Sequence, residues 1–177
     1  MRYRRSKAKG ASFFFTVNLA DRSSTALVDH VNELRNVIRR VRVLHPFEIT
    51  AVVVLPEHLH CIWQLPPGDN DYPTRWSLIK AGFARGLPVT ERIRTSRIHK
   101  RERGIWQRRY WEHQIRDDED MLRHIDYIHY NPVKHGHVGL PIDWPFSSLH
   151  RYTRLGKLSK SWGAGVRLGD GAYGEVL

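Results

Sequence analysis

The sequence predicts an α+β protein with a ferredoxin-like split βαβ fold, in which a four-stranded antiparallel sheet carries helices on one face. Apolar segments with strand-like and helix-like periods follow one another in the order β-α-β-β-α-β. Only Pro56 and Glu57 separate the two middle strand segments, and so short a link allows an antiparallel hairpin but no parallel crossover. A further helical segment follows the last strand, and we expect it to form an extra C-terminal helix.

Four segments have the character of strands. The first contains three consecutive phenylalanines, and the second is rich in valine, a residue type that favours strands. The third follows the Pro-Glu turn, and the fourth is aromatic. These segments cover residues 12–19, 47–55, 58–65 and 110–115.

Three segments have apolar residues at helical spacing, namely residues 25–44, 76–87 and 118–130. We expect Asp117 and Asp118 to cap the last of them, because a side-chain oxygen there can accept from the first backbone amides of the helix. We expect the same helix to end before Pro132, since proline disfavours the helical conformation in the residue that precedes it.

We expect residues 1–155 to form one domain, with residues 1–10 as a basic arm, and residues 156–177 to form a loosely docked, glycine-rich tail. Residues 88–104 are basic and poor in apolar side chains, which indicates an exposed loop or a short polar helix. The longest apolar run, residues 49–55, is too short to cross a membrane. With a single cysteine as well, we expect a cytoplasmic, nucleoid-associated protein without a membrane partner.

The net charge predicts a polyanionic partner. Lys and Arg number 29 against 18 Asp and Glu, which gives a formal charge of +11. A ribosomal role or simple solubilisation is the alternative. A basic arm and basic residues near interleaved aromatic residues suit contacts with phosphates and bases. The predicted DNA-contacting residues are Arg2, Arg4, Arg5, Lys7, Arg75, Lys80, Arg108, Arg109 and Trp106.

A histidine pair opens the third strand segment. Side chains alternate between the two faces of a strand, so His58 and His60 point to the same side, with Leu59 on the other. Two imidazoles side by side on a rigid strand make half of a divalent-metal site.

The last predicted helix carries two adjacent stripes on a helical wheel. The predicted core stripe consists of Met121, Leu122, Ile125 and Ile128. The stripe beside it offers an acid, an imidazole, a phenol and an amide, from Asp120, His124, Tyr127 and Asn131. Ordinary polar flanks of a helix are the alternative interpretation of the second stripe.

Four sequence blocks resemble a known family. They are VVLPEHLHCIWQLP, IWQRRYWEHQIRD, HIDYIHYNPVKHG and DWPFSSLHRY, and they occur in the family's order over roughly residues 5–152. The chain resembles the REP-associated tyrosine transposases, which are HUH single-strand nucleases with one catalytic tyrosine. Residues 88–104 depart from the family pattern, because the link there is longer than usual.

The resemblance implies the roles of particular residues. His58 and His60 match the paired metal ligands, and Asn131 matches the residue that completes the shell around Mg²⁺ or Mn²⁺. Tyr127 matches the nucleophile that forms a 5′-phosphotyrosine with single-stranded DNA. The implied partner is DNA with REP-type hairpins, bound by a monomer or a homodimer.

Three further residues are weaker candidates near such a metal. Glu57 could contact a metal-bound water, His124 could relay a proton or support a ligand, and Asp120 could orient His124. A solvent-exposed or simply polar position is the alternative for each.

Three other functions remain possible at this point. A non-catalytic RNA-binding module with the same sheet would need aromatic residues where His58 and His60 stand. A small histidine-based hydrolase would need a third histidine where Ile62 stands. A mobile-element transposase would share the chemistry and differ only in its DNA.

Overall fold

The computed structural model describes residues 6–88 and 103–165. Its sheet has the order β2-β3-β1-β4, and every neighbouring pair is antiparallel. The predicted ferredoxin-like fold is confirmed. The strands are β1 (Ser12–Asn18), β2 (Glu48–Val54), β3 (His58–Gln64) and β4 (Trp111–Gln114). The helices are α1 (Ala26–Asp29), α2 (Val31–Leu44), α3 (Tyr72–Gly86), α4 (Asp118–Lys134) and α5 (Leu149–Arg154), with a 3-10 turn at Pro141–Asp143.

One face of the sheet is covered by α2 and α3. Phe15 packs edge-on against Trp76, and the rings of Trp63 and Trp76 stack with their centroids 4.3 Å apart. The two helices approach closely at Gly82, because a methyl group there would stand 2.7 Å from a methyl carbon of Val37. This face contains the larger hydrophobic core.

The opposite face is covered by α4. Phe14 and Ile62 project from the sheet into a second core with Ile125 and Ile128 of this helix, and Tyr127 belongs to the same core. The extra C-terminal helix therefore lies on the face that a bare ferredoxin-like sheet would leave open, and it brings its buried side chains to β3 and β1.

Two helices differ from the predicted bounds, and both differences have local causes. The predicted first helix is divided at His30 into α1 and α2. Helix α3 begins earlier than predicted because the Asp71 side chain accepts a hydrogen bond from Thr74 N at 3.1 Å, and Pro73 suits the first turn.

Helix α4 does not end before Pro132, so that prediction is wrong. Pro132 lies inside the helix, whose last residue is Lys134. The chain beyond Pro132 is held because His135 N donates to Asn131 O and His137 N donates to Pro132 O, at 3.0 and 2.9 Å. Proline within the last turn removes one donor, and the remaining bonds keep this turn closed.

The free edge of β2 is covered by the chain that follows α4. Val54 N donates to Phe146 O at 2.9 Å, and Ser148 N donates to Val52 O at 2.8 Å. Within the predicted tail, the Trp162 ring lies 6.0 Å from that of His129. Among the described residues, no helix is long and apolar enough to span a membrane.

Candidate functional site

The histidine pair lies at the interface between β3 and α4. Both side chains are fully buried, and their ring centroids are 4.9 Å apart at 81°. Leu59, between them, belongs to the core on the other face. The two imidazoles therefore share one face, as strand alternation predicts.

Each histidine is oriented by a hydrogen bond at Nδ1. Thr16 Oγ1 lies 2.9 Å from His60 Nδ1, and Glu57 Oε1 lies 2.8 Å from His58 Nδ1. A partner at one ring nitrogen fixes the orientation of the ring and leaves the other nitrogen, here Nε2, as the atom that could bind a metal ion. Glu57 thus contacts His58 directly, whereas the sequence suggested a contact with a metal-bound water.

The Glu57 carboxylate is held in its charged form. Burial alone would raise its pKa, but the hydrogen bond and charge of His58, together with the charge of Arg22, lower it to about 2. Arg22 Nη2 lies 3.6 Å from the carboxylate. A permanently charged carboxylate strengthens the His58 imidazole as an electron donor.

Helix α4 brings Tyr127 to the histidines. The Tyr127 ring is buried, and its centroid lies 5.2 Å from that of His60 at 70°. Asn131, one turn further on, is fully buried on the same side of the helix. Tyr130, the other tyrosine of this segment, lies beside Gly163: a methyl group on Gly163 would stand 3.4 Å from its ring.

Two residues at the end of α4 were not predicted. Lys134 Nζ lies 3.3 Å from the Tyr127 hydroxyl and 4.9 Å from the centroid of its ring. The His135 ring lies 5.1 Å from that of His58. Lys134 is two turns after Tyr127 and so on the same face, but the expected helix end before Pro132 hid this relation.

The helical wheel placed the core stripe of α4 wrongly in part. Ile125 and Ile128 are buried as predicted, but the Leu122 side chain is 60% exposed. The polar stripe faces the sheet instead, with Asp120, His124, Tyr127 and Asn131 all buried.

Asp120 and His124 join a cluster with His113 of β4. His113 Nε2 lies 2.8 Å from Asp120 Oδ2, and His124 Nδ1 lies 2.7 Å from the backbone oxygen of Asp120. The three side chains could hold a metal ion, since one ligand atom from each lies within 4.8 Å of the others. However, Arg116 Nε lies 3.3 Å from Asp120 Oδ2, and Arg123 lies 3.7 Å from the other oxygen of this carboxylate. The positive charges of these two arginines disfavour the binding of a metal cation at Asp120.

The charge states of this cluster follow from the same contacts. Burial would raise the pKa of Asp120, but the hydrogen bonds from His113 and Arg116 lower it well below its usual value. Burial lowers the pKa of His124. Phe14 separates this cluster from the histidine pair, with its ring 4.8 Å from His124 and 5.5 Å from His60. His124 and Asp120 thus contact each other, and Asp120 also contacts His113, Arg116 and Arg123.

The predicted DNA-contacting residues differ in their exposure to solvent. Lys7, Arg108 and Arg109 are exposed. Lys80 is half-buried, with Nζ 2.5 Å from Gln107 O and 3.3 Å from Arg108 O. Arg2, Arg4 and Arg5, and most of the segment 88–104, lie outside the described residues.

Arg75 and Trp106 do not fit the predicted role in DNA contact. Arg75 is 2% exposed, and its guanidinium pairs with Asp69 at 2.6 Å and donates to the carbonyl of Pro46 at 2.7 Å. Trp106 is 6% exposed, and its Nε1 donates to Lys80 O at 3.1 Å. Both side chains are structural, because burial withdraws them from any bound strand.

Close relatives are known for this chain, although no family model matches it. A REP-associated tyrosine transposase of Escherichia coli (strain K12) is 45% identical over 175 residues, which cover 99% of this chain and 97% of that protein. A Haemophilus influenzae protein with the same family name is 46% identical over 162 residues, which cover 91% of this chain and 92% of that protein.

A solved structure agrees with these relatives. The structure of a REP-associated tyrosine transposase bound to a REP hairpin is 44% identical, with a TM-score of 0.86 and coverage of 100% of this chain and 98% of that chain. Fold and relatives together define an enzyme, a tyrosine transposase of the HUH class. The chain belongs to the REP-associated tyrosine transposases, as its four sequence blocks predicted.

Proposed function

We propose that this protein cleaves and rejoins single-stranded DNA at REP-type hairpins, with Tyr127 as the nucleophile and Mg²⁺ or Mn²⁺ held by His58, His60 and Asn131. The observation that carries the proposal is the meeting of β3 and α4, where the Tyr127 ring lies 5.2 Å from that of His60. The solved relative that is bound to a REP hairpin supports the choice of DNA.

The residues at this site fit a divalent metal ion. Both histidines hydrogen-bond through Nδ1, so Nε2 is the ligand atom that each would offer. Imidazole suits Mn²⁺, and an amide oxygen such as that of Asn131 suits both Mn²⁺ and Mg²⁺. When bound, such an ion would polarise the scissile phosphate and stabilise charge on its oxygens.

The proposed reaction keeps the energy of the phosphodiester bond. The Tyr127 oxygen attacks the phosphorus and the phenol loses its proton to solvent. The bond between phosphorus and the 3′ oxygen breaks, and that oxygen takes up a proton and leaves as a 3′-OH. The product is a 5′-phosphotyrosine, which a 3′-OH can attack to rejoin strands and restore the tyrosine.

Lys134 extends the nucleophilic part of the site. A phenol is a weak nucleophile at neutral pH, because it is mostly protonated there. The ammonium group of Lys134, 3.3 Å from the Tyr127 hydroxyl, stabilises negative charge that develops on this oxygen during attack.

Exposed basic residues would bring the strand to this site. Arg108 and Arg109 are exposed just before β4. Contacts of arginine with phosphates provide affinity and fall with rising salt. The net charge of +11 gives the attraction its long range.

Cleavage of strand-specific oligonucleotides tests the proposal. Hairpins with single-stranded flanks, taken from REP palindromes, are incubated with wild type, Tyr127→Phe and the matched control Tyr130→Phe in the presence of Mn²⁺. We expect Tyr127→Phe to bind but not cleave, and Tyr130→Phe to do both. Cleavage by Tyr127→Phe would refute the assignment of the nucleophile.

Mn²⁺ binding, measured by electron paramagnetic resonance, tests the metal site without relying on activity. We expect His60→Ala to lose the bound ion and His113→Ala to keep it. The opposite pattern would place the ion at the cluster of His113, Asp120 and His124 and would remove the histidine pair from the proposal.

A further inference from the structure

Trp111 lies in the same row of the sheet as His60. The register pairs His60 of β3 with Thr16 of β1, and Thr16 with Trp111 of β4. Thr16 also bonds to the His60 ring. Adjacent strands are about 4.8 Å apart, so the backbone of Trp111 is roughly 10 Å from that of His60. Trp111 thus stands beside the proposed cleavage site, within reach of a neighbouring nucleotide.

The Trp111 ring is held in a fixed orientation. It is nearly parallel to the His113 ring, at 5° with centroids 5.8 Å apart, and His113 in turn stacks on His124 at 13° and 4.7 Å. Asp120 fixes His113 through a hydrogen bond of 2.8 Å. Phe14 contacts the indole edge-on at 5.7 Å. These contacts connect the indole to the half-buried His113 and, through it, to the buried side chains of Asp120 and His124.

Exposure and charge distinguish Trp111 from the other aromatic rings at this site. Phe14 and Tyr127 are buried, whereas Trp111 keeps part of its surface in solvent. Exposed arginines precede and follow it in the chain at Arg108, Arg109 and Arg116. An accessible indole on a strand that exposed arginines precede is the combination that suits an unpaired base next to its phosphates.

We propose that Trp111 is a stacking platform for the DNA base next to the scissile phosphate, with His113 and Asp120 as the residues that position it. This inference rests on the proposed function and adds a base-binding subsite to it. Of the interleaved aromatic residues that the sequence suggested for stacking, Trp106 is buried, whereas Trp111 is partly exposed. Because every base has an aromatic face, the platform fixes where the strand lies rather than which base it carries.

Fluorescence of 2-aminopurine tests the platform. The base analogue is placed in turn at each position of the single-stranded flank, and the oligonucleotide is bound to the Tyr127→Phe protein, so that no cleavage occurs. We expect strong quenching at one position next to the cleavage site. Adding Trp111→Leu should remove this quenching, whereas Trp111→Phe should retain much of it and Trp162→Leu should leave it unchanged.

A cycle of substitutions in protein and DNA separates stacking from a loss of structure. Trp111→Leu should weaken binding by about 5- to 150-fold when the base is present, and should have little further effect when that nucleotide is abasic. A protein that is merely damaged would bind both oligonucleotides more weakly to the same extent.

The two proposals fail in different ways. If no flank position is quenched by the Tyr127→Phe protein, or if quenching survives Trp111→Leu, the platform is refuted while cleavage through Tyr127 stands. If wild type fails to cleave the hairpin, or Tyr127→Phe cleaves it, the proposed function is refuted. If Trp111→Leu does not fold, the platform is tested by the quenching profile of the Tyr127→Phe protein, which keeps Trp111, and by that of the Trp111→Phe variant.

Discussion

The Lys134 side chain places a positive charge beside the tyrosine that is proposed to attack DNA. Its Nζ lies 3.3 Å from the Tyr127 hydroxyl, and it reaches this position from two turns further along α4. The side chain is exposed, so its ammonium group is also accessible to an incoming phosphate. One ammonium group could therefore contact both the Tyr127 hydroxyl and a phosphate of the bound DNA.

Lys134→Ala should slow cleavage by roughly 10- to 100-fold at saturating DNA, because it removes one charge that stabilises the transition state. Single-turnover rates measure the effect. The matched control is Lys157→Ala, because Lys157 Nζ stands 5.7 Å over the ring of another tyrosine, Tyr152. An equal loss in both variants would show that general charge, rather than the contact with Tyr127, is responsible.

At single residues, local sequence rules predicted which side chains share a face of a strand or helix better than they predicted which side chains are buried. Strand alternation placed His58 and His60 together, and the spacing of one turn placed Tyr127 beside Asn131. Arg75 and Trp106 could not be recognised as buried, because composition does not show which side chain the folded chain encloses. Arg75 is enclosed by backbone carbonyls of the segment before β2 and by Asp69, contacts that only the tertiary structure creates.

Among the elements, α4 has the largest effect on the site. Asp117 caps it, with its side chain accepting from Asp120 N at 2.7 Å, and the helix then runs to Lys134. The cap fixes the start of the helix at the end of β4, and so fixes the height at which Tyr127 meets β3.

Asp117→Ala should destabilise the protein by about 1 kcal/mol, because the first turn of α4 loses its acceptor. We expect the melting temperature to fall by about 2–4 °C. The neighbouring variant Asp118→Ala, which removes a carboxylate of the first turn but not the cap, should cost less. A larger loss from Asp118→Ala than from Asp117→Ala would contradict this assignment of the cap.

The sequence predicted that α4 exists, but not its rotation or its length. A helical wheel assumes that the apolar side faces the core, and Leu122 was assigned on that basis. The sheet offers α4 polar partners such as His113, so polar residues are buried against it and Leu122 faces solvent. Proline disfavours a helical residue before it, which predicts an end before Pro132, but the hydrogen bonds from His135 and His137 keep the last turn helical and do not show in the sequence.

In the whole molecule, one face of the sheet carries the main hydrophobic core and the other carries the candidate functional site. The face with α2 and α3 contains the larger core, and the face with α4 contains the histidine pair and Tyr127. Arg75 belongs to the first face. The hydrogen bond from Arg75 lowers the pKa of Asp69 below its ordinary value of 3.8. The pair therefore stabilises the folded protein at pH values above 3.8, and this contribution is lost as the pH falls below 3.8.

Arg75→Ala should destabilise the fold by on the order of 3 kcal/mol, since it breaks a largely buried ion pair. The salt dependence of DNA binding should remain the same, because the Arg75 side chain is buried and paired with Asp69. Arg109→Ala should do the reverse, with little change in stability and a salt slope smaller by about 1. Urea unfolding and binding titrations across salt concentrations measure both. A reduced slope in Arg75→Ala would return this residue to the DNA-contacting set.

The central claim is that Tyr127 becomes covalently attached to DNA, and mass spectrometry of the trapped adduct tests it most directly. An oligonucleotide with sulfur in place of the scissile 3′ oxygen leaves a thiol that rejoins poorly, so the adduct accumulates. Trypsin then releases residues 124–134, which contain both Tyr127 and Tyr130. We predict that fragmentation will locate a 5′-phosphonucleotide on Tyr127. An adduct on Tyr130, or cleaved DNA with a free 5′-phosphate and no adduct, would contradict the mechanism.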